Sequence, residues 1–313
     1  MARRVLWGLL TLFLVSIVVF AATAVLPGDA ARAILGRNAT PAALAALRNQ
    51  LHLGGSVFQE YSQWLSHFAR GDLGVSLASR ENVSTFLSHR VENSAFLMLL
   101  AAAIGFPLAI VLGAISARRR DSAFDHVSSI VMFVLAWLPE FVVAIVLVVV
   151  LGTTVFTVLP PVSFFPPGDP PWDHLKELVL PTLTLVIAVA PYTARMLRAS
   201  LVEVLESDYV EMARLKGLSE RTVVWRHAVP NALAPTIQVI ALNFAYLIGG
   251  IVVVESVFNY AGIGSALVQA VQNRDVPVIQ AITLLVAAVY VVLNIVADVA
   301  AILVSPRART SLR

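Results

Sequence analysis

Long apolar runs separated by shorter polar stretches make up most of this chain. Each run approaches the roughly 20 residues that an α-helix needs to cross a hydrocarbon core about 30 Å thick. Backbone amides inside a bilayer must be satisfied within their own segment, so these runs are predicted to be helices. The expected fold class is therefore an all-α polytopic membrane protein with six transmembrane helices. The predicted spans are Val5–Leu26, Asn93–Ala117, His126–Leu151, Leu178–Leu197, Ala234–Val254 and Val278–Val304.

Composition indicates that lipid is the main solvent of the chain. Hydrophobic residues make up 58% of the 313 residues and charged residues 13%, against roughly 25% charged residues in soluble domains. The isoelectric point near 9.5 comes from basic residues that flank the apolar runs. These residues form no aromatic-interleaved patch, so no nucleic-acid partner is expected. The run after Arg3 and Arg4 is longer than the apolar region of a signal peptide and is predicted to be retained.

The distribution of Lys and Arg predicts a cell-membrane protein with both termini in the cytoplasm. Basic residues beside short connections mark the cytoplasmic side, whereas long segments translocate largely regardless of charge. Only Lys176 and Arg274 lie in the short loops of the opposite side. The residues that indicate the cytoplasmic side are Arg3, Arg4, Arg118, Arg119, Arg120, Arg195, Arg198, Arg214, Lys216, Arg221, Arg226, Arg307, Arg309 and Arg313.

The segment after the first span is too polar to cross a membrane and is predicted to be an extracytoplasmic helical cap. Phe58, Tyr61, Leu65 and Phe68 recur at helical spacing, and Gly71 is placed to end that helix. Its apolar face packs on the bundle or contacts an external partner. The predicted organisation is residues 1–26 for the N-terminus and first span, 27–92 for the outer segment, 93–304 for the remaining spans with a cytoplasmic loop at about 199–233, and 305–313 for a cytoplasmic tail.

The loop between the fourth and fifth spans is predicted to form two short amphipathic helices. Asp208 followed by Glu211 is typical of a capping box, and Gly217 suits the left-handed turn that ends a helix. Ser219 is predicted to cap a second helix that runs toward Pro230. Both helices mix apolar and charged residues on their surfaces, which favours docking on a partner.

These features resemble those of ABC importer permeases. The loop is similar to the EAA loop of that family, and the outer motifs are similar to its dipeptide, oligopeptide and nickel branch, specifically the first of two permease subunits. The matching stretches are Glu211-Met212-Ala213 with Gly217, Arg226-His227-Ala228, Pro230-Asn231-Ala232-Leu233, Gln59–Trp64 with Gly71–Ser76, Val254–Phe258 with Gly262–Gly264, and Asn294 and Asp298 before Ser305-Pro306-Arg307.

The resemblance implies a type I ABC importer permease that works by alternating access. Its expected partners are a homologous second permease subunit, two cytosolic ATPase subunits, an extracytoplasmic solute-binding protein and the lipid bilayer. The loop would dock into a cleft of the ATPase and transmit its motion. The expected ATPase-docking residues are Glu211, Met212, Ala213, Arg214, Lys216 and Gly217.

Motifs for enzymatic chemistry are missing from the sequence. There is no Gly-x4-Gly-Lys-[Ser/Thr] loop, so ATP and Mg²⁺ are expected on the partner ATPases and no cofactor on this chain. No His-Glu-x2-His or Gly-x-Ser-x-Gly motif occurs, and the six His are scattered without ligand spacing. Neither catalytic residues nor a metal site are therefore predicted.

One acidic residue at membrane depth, Glu140 after Pro139, is a candidate functional group because such charges are costly. It lines the translocation path and pairs with a cationic group of the cargo, or it forms an ion pair with a neighbouring subunit or a polar helix interface. Peptides are the preferred cargo, with a nickel chelate, haem or another small solute as alternatives. The competing class is a secondary carrier, which would show charge relays and broken helices in two halves.

Overall fold

In the computed structural model, which describes residues 2–25, 40, 56–166 and 168–304, the chain is built from α-helices. Five helices are long and apolar enough to cross a membrane, and up to six if one bent pair counts as a single span. The all-α membrane fold is therefore confirmed. The helices are α1 Ala2–Val25, α2 Val57–Ala69, α3 Val83–Arg118, α4 Ala123–Trp137, α5 Glu140–Leu147, α6 Leu175–Leu205, α7 Asp208–Leu215, α8 Val229–Val257, α9 Ile263–Asn273 and α10 Val276–Val304.

The chain divides into two compact units, the first comprising residues 1–94 and 261–292. The predicted outer helix exists as α2, and its aromatic face packs on α1 within this unit. The Tyr61 ring lies edge-on to Phe20 at 5.4 Å between centroids, and its hydroxyl is 2.7 Å from Ser16 Oγ. Gly71 follows the end of α2 with φ of +84°. Residues 27–39 and 41–55 of the predicted outer segment, and the predicted tail 305–313, lie outside the described residues.

The first unit also contains a buried carboxylate that organises a loop. Asp275, which is buried at the start of α10, accepts hydrogen bonds from the Ser76 hydroxyl and from the backbone N–H groups of Leu77 and Ala78, the latter two at 3.0 and 3.2 Å. Helix α9, which the apolar runs did not predict, packs in a core with the start of α3 and α10. The buried side chains of this core are Val83, Leu87, Ala266, Ala270, Val278, Ile279, Ala281 and Ile282.

The second unit, residues 95–260 and 293–313, is centred on α6. Helix α6 contacts α4, α5 and α8, and most of its length is buried. Helices α3 and α6 approach each other closely at Gly113 of α3. A Cβ atom on this residue would lie 2.6 Å from the Ala194 carbonyl oxygen of α6, so the close approach depends on glycine. Two prolines, Pro181 and Pro191, are accommodated inside α6, as neighbouring helices in a membrane bundle allow.

The predicted third span, His126–Leu151, is not one straight helix. The structure breaks it into α4 and α5, which are bent by 107°. Pro139 has no N–H group to continue the helix, and Leu138 before it takes an extended conformation with ψ of 128°. Glu140 is consequently the first residue of α5, where the helix dipole favours negative charge.

The other spans are longer than predicted. Helix α3 begins at Val83 and not at Asn93, because helical residues of the outer segment continue directly into the apolar run. Helix α6 extends to Leu205, and α8 begins at Val229. Hydrophobicity marks the part of a helix that lies in lipid, whereas the hydrogen-bonded helix continues beyond it.

Candidate functional site

The loop between α6 and α8 begins with helix α7, whose start differs from the prediction. The capping box expected at Asp208 and Glu211 is wrong, because Ser207 holds the N-cap position with an extended backbone. The Ser207 hydroxyl donates to the Val204 carbonyl and does not cap the helix. Asp208 and Glu211 both lie in the first turn of α7, where negative charge interacts favourably with the helix dipole.

Gly217 ends α7 in the predicted left-handed conformation, with φ of +77°. The Gly217 N–H donates to the Arg214 carbonyl at 2.9 Å, and the Leu218 N–H donates to the Ala213 carbonyl at 3.4 Å. This pair of bonds is the Schellman motif, which satisfies the last carbonyls of a helix. No atom lies within 4 Å of a Cβ built on Gly217. The requirement for glycine therefore comes from the backbone and not from space.

The second half of the loop is continuous with the fifth span. Ser219 caps it as predicted, with its hydroxyl accepting from the Thr222 N–H at 3.4 Å. The helix then passes through a π-helical stretch, Val223–Ala228, into α8. Pro230 lies just after the π-helical stretch and does not interrupt the helix, because local π-helical adjustment and neighbouring helices satisfy the carbonyl groups that a proline leaves unpaired. A displacement of the loop is thereby connected to a membrane helix without a flexible joint.

One face of α7 is buried against the membrane helices. Val210 and Ala213 are both buried, and they join a core formed by the ends of α3, α6 and the start of α8. Leu201 of α6 and Val224 before α8 are fully or almost fully buried in the same core. Of the predicted docking residues, Ala213 therefore holds α7 in place and does not face outward.

The opposite face of α7 exposes apolar side chains to the surroundings. Met212 is 53% exposed and Leu215 is 74% exposed, with Tyr209 and Leu218 also exposed. Glu211 and Lys216 are exposed beside them. An apolar surface of this kind on a connecting loop is typical of a protein–protein contact. We refer to Tyr209, Met212 and Leu215, together with Leu218 just beyond the helix, as the outer stripe of α7.

Arg214 braces the loop. Its Nε atom donates to Glu220 Oε1 at 2.7 Å, and its Nη1 atom donates to the Leu205 carbonyl at 3.3 Å. These contacts connect the last turn of α7 to the end of α6 and to the first turn that Ser219 caps. The six predicted docking residues thus have different places in the loop. Glu211, Met212 and Lys216 face outward, and Ala213 faces the membrane helices. Arg214 connects the two parts of the loop, and Gly217 ends α7.

A buried ion pair next to the loop was not predicted from the sequence. Asp125 of α4, whose side chain is 3% exposed, accepts from Arg198 Nε at 2.6 Å and from Nη2 at 2.5 Å. The Ser116 hydroxyl donates to Asp125 Oδ1 at 2.6 Å, and the Asp121 N–H donates to Oδ2 at 3.1 Å. Asp125 therefore joins α3, α4 and α6. From the sequence, Arg198 serves only to indicate the cytoplasmic side of the membrane.

Glu140 lies beside α8. Its carboxyl group lies near the Tyr246 hydroxyl, and a Cβ atom on Gly250 would come within 2.7 Å of Oε2. Oε1 is buried and has no hydrogen-bond partner in the part of the chain that the structure describes. Among the same residues Glu140 forms no salt bridge, so no basic side chain in this part of the chain is paired with its carboxyl group.

Over the ranges 2–25, 56–166 and 168–304, no group of three or more His, Asp or Glu residues is arranged to hold a metal ion. What the site can do is mechanical: the outer stripe offers a docking surface, and the helix behind it leads into the membrane.

Two family descriptions match the chain. Residues 109–310 match the inner membrane component of binding-protein-dependent transport systems, and residues 1–98 match the N-terminal part of the membrane component. The glutathione transport system permease protein of Escherichia coli is 36% identical over 307 residues, which cover 98% of this chain and 97% of that protein. A Brucella abortus protein provisionally named a peptide transport system permease is 35% identical over 308 residues, covering 98% of both chains.

Proposed function

This chain belongs to the inner membrane components of binding-protein-dependent transport systems, and from this premise we propose that it forms half of the translocation pathway for di- or oligopeptides. It is a permease subunit of an ABC importer, with ATPase and binding-protein partners. We propose a complex of this chain, a homologous second permease, two cytosolic ATPases and one extracytoplasmic binding protein, with both termini of this chain in the cytoplasm.

The loop carries the proposal for how ATP drives transport. The outer stripe of α7 exposes apolar side chains, whereas Val210 and Ala213 on the other face are buried against membrane helices. A partner ATPase that grips the outer stripe and closes on ATP and Mg²⁺ would push α7 sideways. Because Gly217 and Ser219 connect α7 to a helix that is continuous with α8, the push would reorient the span. The loop would be the two-state element of alternating access.

Peptide cargo is supported by the relatives, whose names refer to glutathione and to peptides. Glu140 fits such cargo, because a partly buried carboxyl group with an unpartnered oxygen suits the ammonium group of a peptide. Nickel chelates and haem have no corresponding support among these relatives. The break between α4 and α5 is a feature that secondary carriers share, but they require corresponding breaks in two halves, and one bent pair is found among the described helices.

To test the proposal, the tagged chain is purified in mild detergent from cells that express its genomic neighbours. ATPase activity is then measured in the purified sample. The expected result is a co-purifying ATPase whose coupling to uptake is lost on Gly217→Val. The complex, reconstituted in liposomes with its binding protein, is expected to take up peptide only with ATP. A lone chain that transports without ATP would instead identify a secondary carrier.

A further inference from the structure

Helix α6 exposes an unusual stripe for a membrane helix. Among the five straight candidate spans in the described residues it is the most buried. Of the residues in its most apolar stretch, 67% are buried inside the chain, against 17% for α1. Helix α1 exposes aliphatic side chains such as Leu6 and Val18, as expected for contact with lipid. In its C-terminal half, helix α6 exposes Tyr192 and Met196 with the half-buried Arg195 beside them, whereas nearer its start it exposes the aliphatic Leu175 and Val179.

A cavity of about 450 Å³ opens over this stripe. Its floor is α6 and its wall is α4. The residues that line it are Ser129, Phe133, Tyr192, Arg195, Met196, Arg198 and Ala199. A volume of this size accommodates a small ligand or part of a larger one.

The two arginines that line the cavity differ in their partners within the chain. Arg198 is held by both oxygens of Asp125, so its charge is neutralised within the chain. The Arg195 guanidinium lies over the Phe133 ring, 5.2 Å from the ring centroid, and no carboxylate or hydrogen-bond acceptor contacts it in the described ranges. Stacking orients the planar group while leaving its N–H edge available to a ligand.

The hydrogen-bond donors that line the cavity suit the binding of a carboxylate. A guanidinium edge forms paired hydrogen bonds with the two oxygens of a carboxylate, and Ser129 and Tyr192, which also line the cavity, carry hydroxyl groups that can donate. The surroundings of Arg195 therefore favour the binding of an anion.

We propose that Arg195 and the cavity around it bind the terminal carboxylate of the cargo during its passage through the membrane. The inference rests on the proposed function, because it assumes that the cargo is a peptide. It assigns to the permease itself a part in selecting cargo, namely a preference for peptides with a free carboxyl terminus.

The test uses the complete transporter in proteoliposomes with saturating binding protein. The probes are trialanine and its C-terminal amide, and the measured quantity is the initial ATP-dependent uptake rate of each. Arg195→Gln is expected to slow trialanine uptake about tenfold or more, because charge-assisted hydrogen bonds are lost, while the rate for the amide stays as in the wild type. Arg195→Lys, which keeps the charge, is expected to recover part of the trialanine rate.

The control variant is Arg119→Gln. Arg119 also lies over an aromatic ring, 5.7 Å from the Phe124 centroid, but it does not line the cavity. Its uptake of both probes is expected to equal that of the wild type. This control separates the cavity from a general effect of removing an arginine from an aromatic ring.

Four results would overturn the inference. Equal loss of trialanine and amide uptake in Arg195→Gln would assign the residue a structural role, and unchanged uptake of both would assign it none. A loss that appears in phosphatidylglycerol vesicles and disappears in pure phosphatidylcholine vesicles would identify an anionic lipid headgroup as the ligand. If the wild-type complex itself takes up no trialanine with ATP, the proposed peptide function is refuted and the inference with it.

Discussion

Replacing Gly217 with valine is expected to uncouple ATP hydrolysis from transport. Gly217 has φ of +77° and closes the Schellman motif that ends α7. A Cβ atom there meets nothing within 4 Å, so a larger side chain has room. The entire penalty therefore comes from forcing a residue with a Cβ atom into the left-handed region.

The magnitude follows from this backbone penalty. The left-handed conformation costs a non-glycine residue roughly 1–2 kcal/mol, and a β-branched residue is a true outlier there. Such an energy changes a population ratio by a factor of roughly 5–30. Asparagine, which tolerates this region, is expected to retain more coupling than alanine, and alanine more than valine. The outer stripe of α7 would lose its orientation, whereas the membrane helices would not.

The assay compares ATP hydrolysis with peptide uptake in the reconstituted complex. Gly71→Val is the matched control, because Gly71 has φ of +84°, lacks neighbours within 4 Å of an added Cβ, and closes the same motif on α2. Its N–H donates to the Phe68 carbonyl and the Asp72 N–H donates to the His67 carbonyl, each at 3.0 Å. The control thus carries the same backbone strain outside the cytoplasmic loop.

Two results would refute this reasoning. Full coupling in Gly217→Val would show that the orientation of α7 does not depend on the left-handed turn. Equal uncoupling in Gly71→Val would show that backbone strain anywhere in the chain is sufficient, so the loop would have no special role.

Three further substitutions test the site and its support. Glu140→Gln is expected to slow uptake of a peptide with a free amino terminus and not of its N-acetyl form, and unchanged uptake of both would refute the pathway role. Gly113→Ala brings a Cβ to 2.6 Å from the Ala194 carbonyl and is expected to destabilise the protein by about 1–3 kcal/mol, measured as a lower melting temperature. Asp125→Ala leaves Arg198 without its carboxylate and is expected to cost about 3–5 kcal/mol. The double variant that also carries Arg198→Ala should lose less than the sum of the single losses, and additive losses would contradict the ion pair.

Several features of the fold could be predicted because they depend on neighbours in the chain. The apolar runs identified the membrane helices, and Phe58, Tyr61, Leu65 and Phe68 identified α2. The same holds for Gly217 and Ser219, whose conformations depend on the adjacent turn. The break before Glu140 was missed although Pro139 is visible in the sequence, since an uninterrupted apolar run hides a bend of 107°.

The sequence by itself determined the membrane character, the helices and the turn that ends α7, because hydrophobic length and left-handed glycine are properties of short segments. Only the tertiary structure decided which side of α7 is buried, and it paired Asp125 with Arg198 across 73 positions. It likewise brought Glu140 to Tyr246 and set Arg195 over Phe133. These contacts depend on how helices distant in sequence pack side by side, and no local pattern of residues encodes that packing.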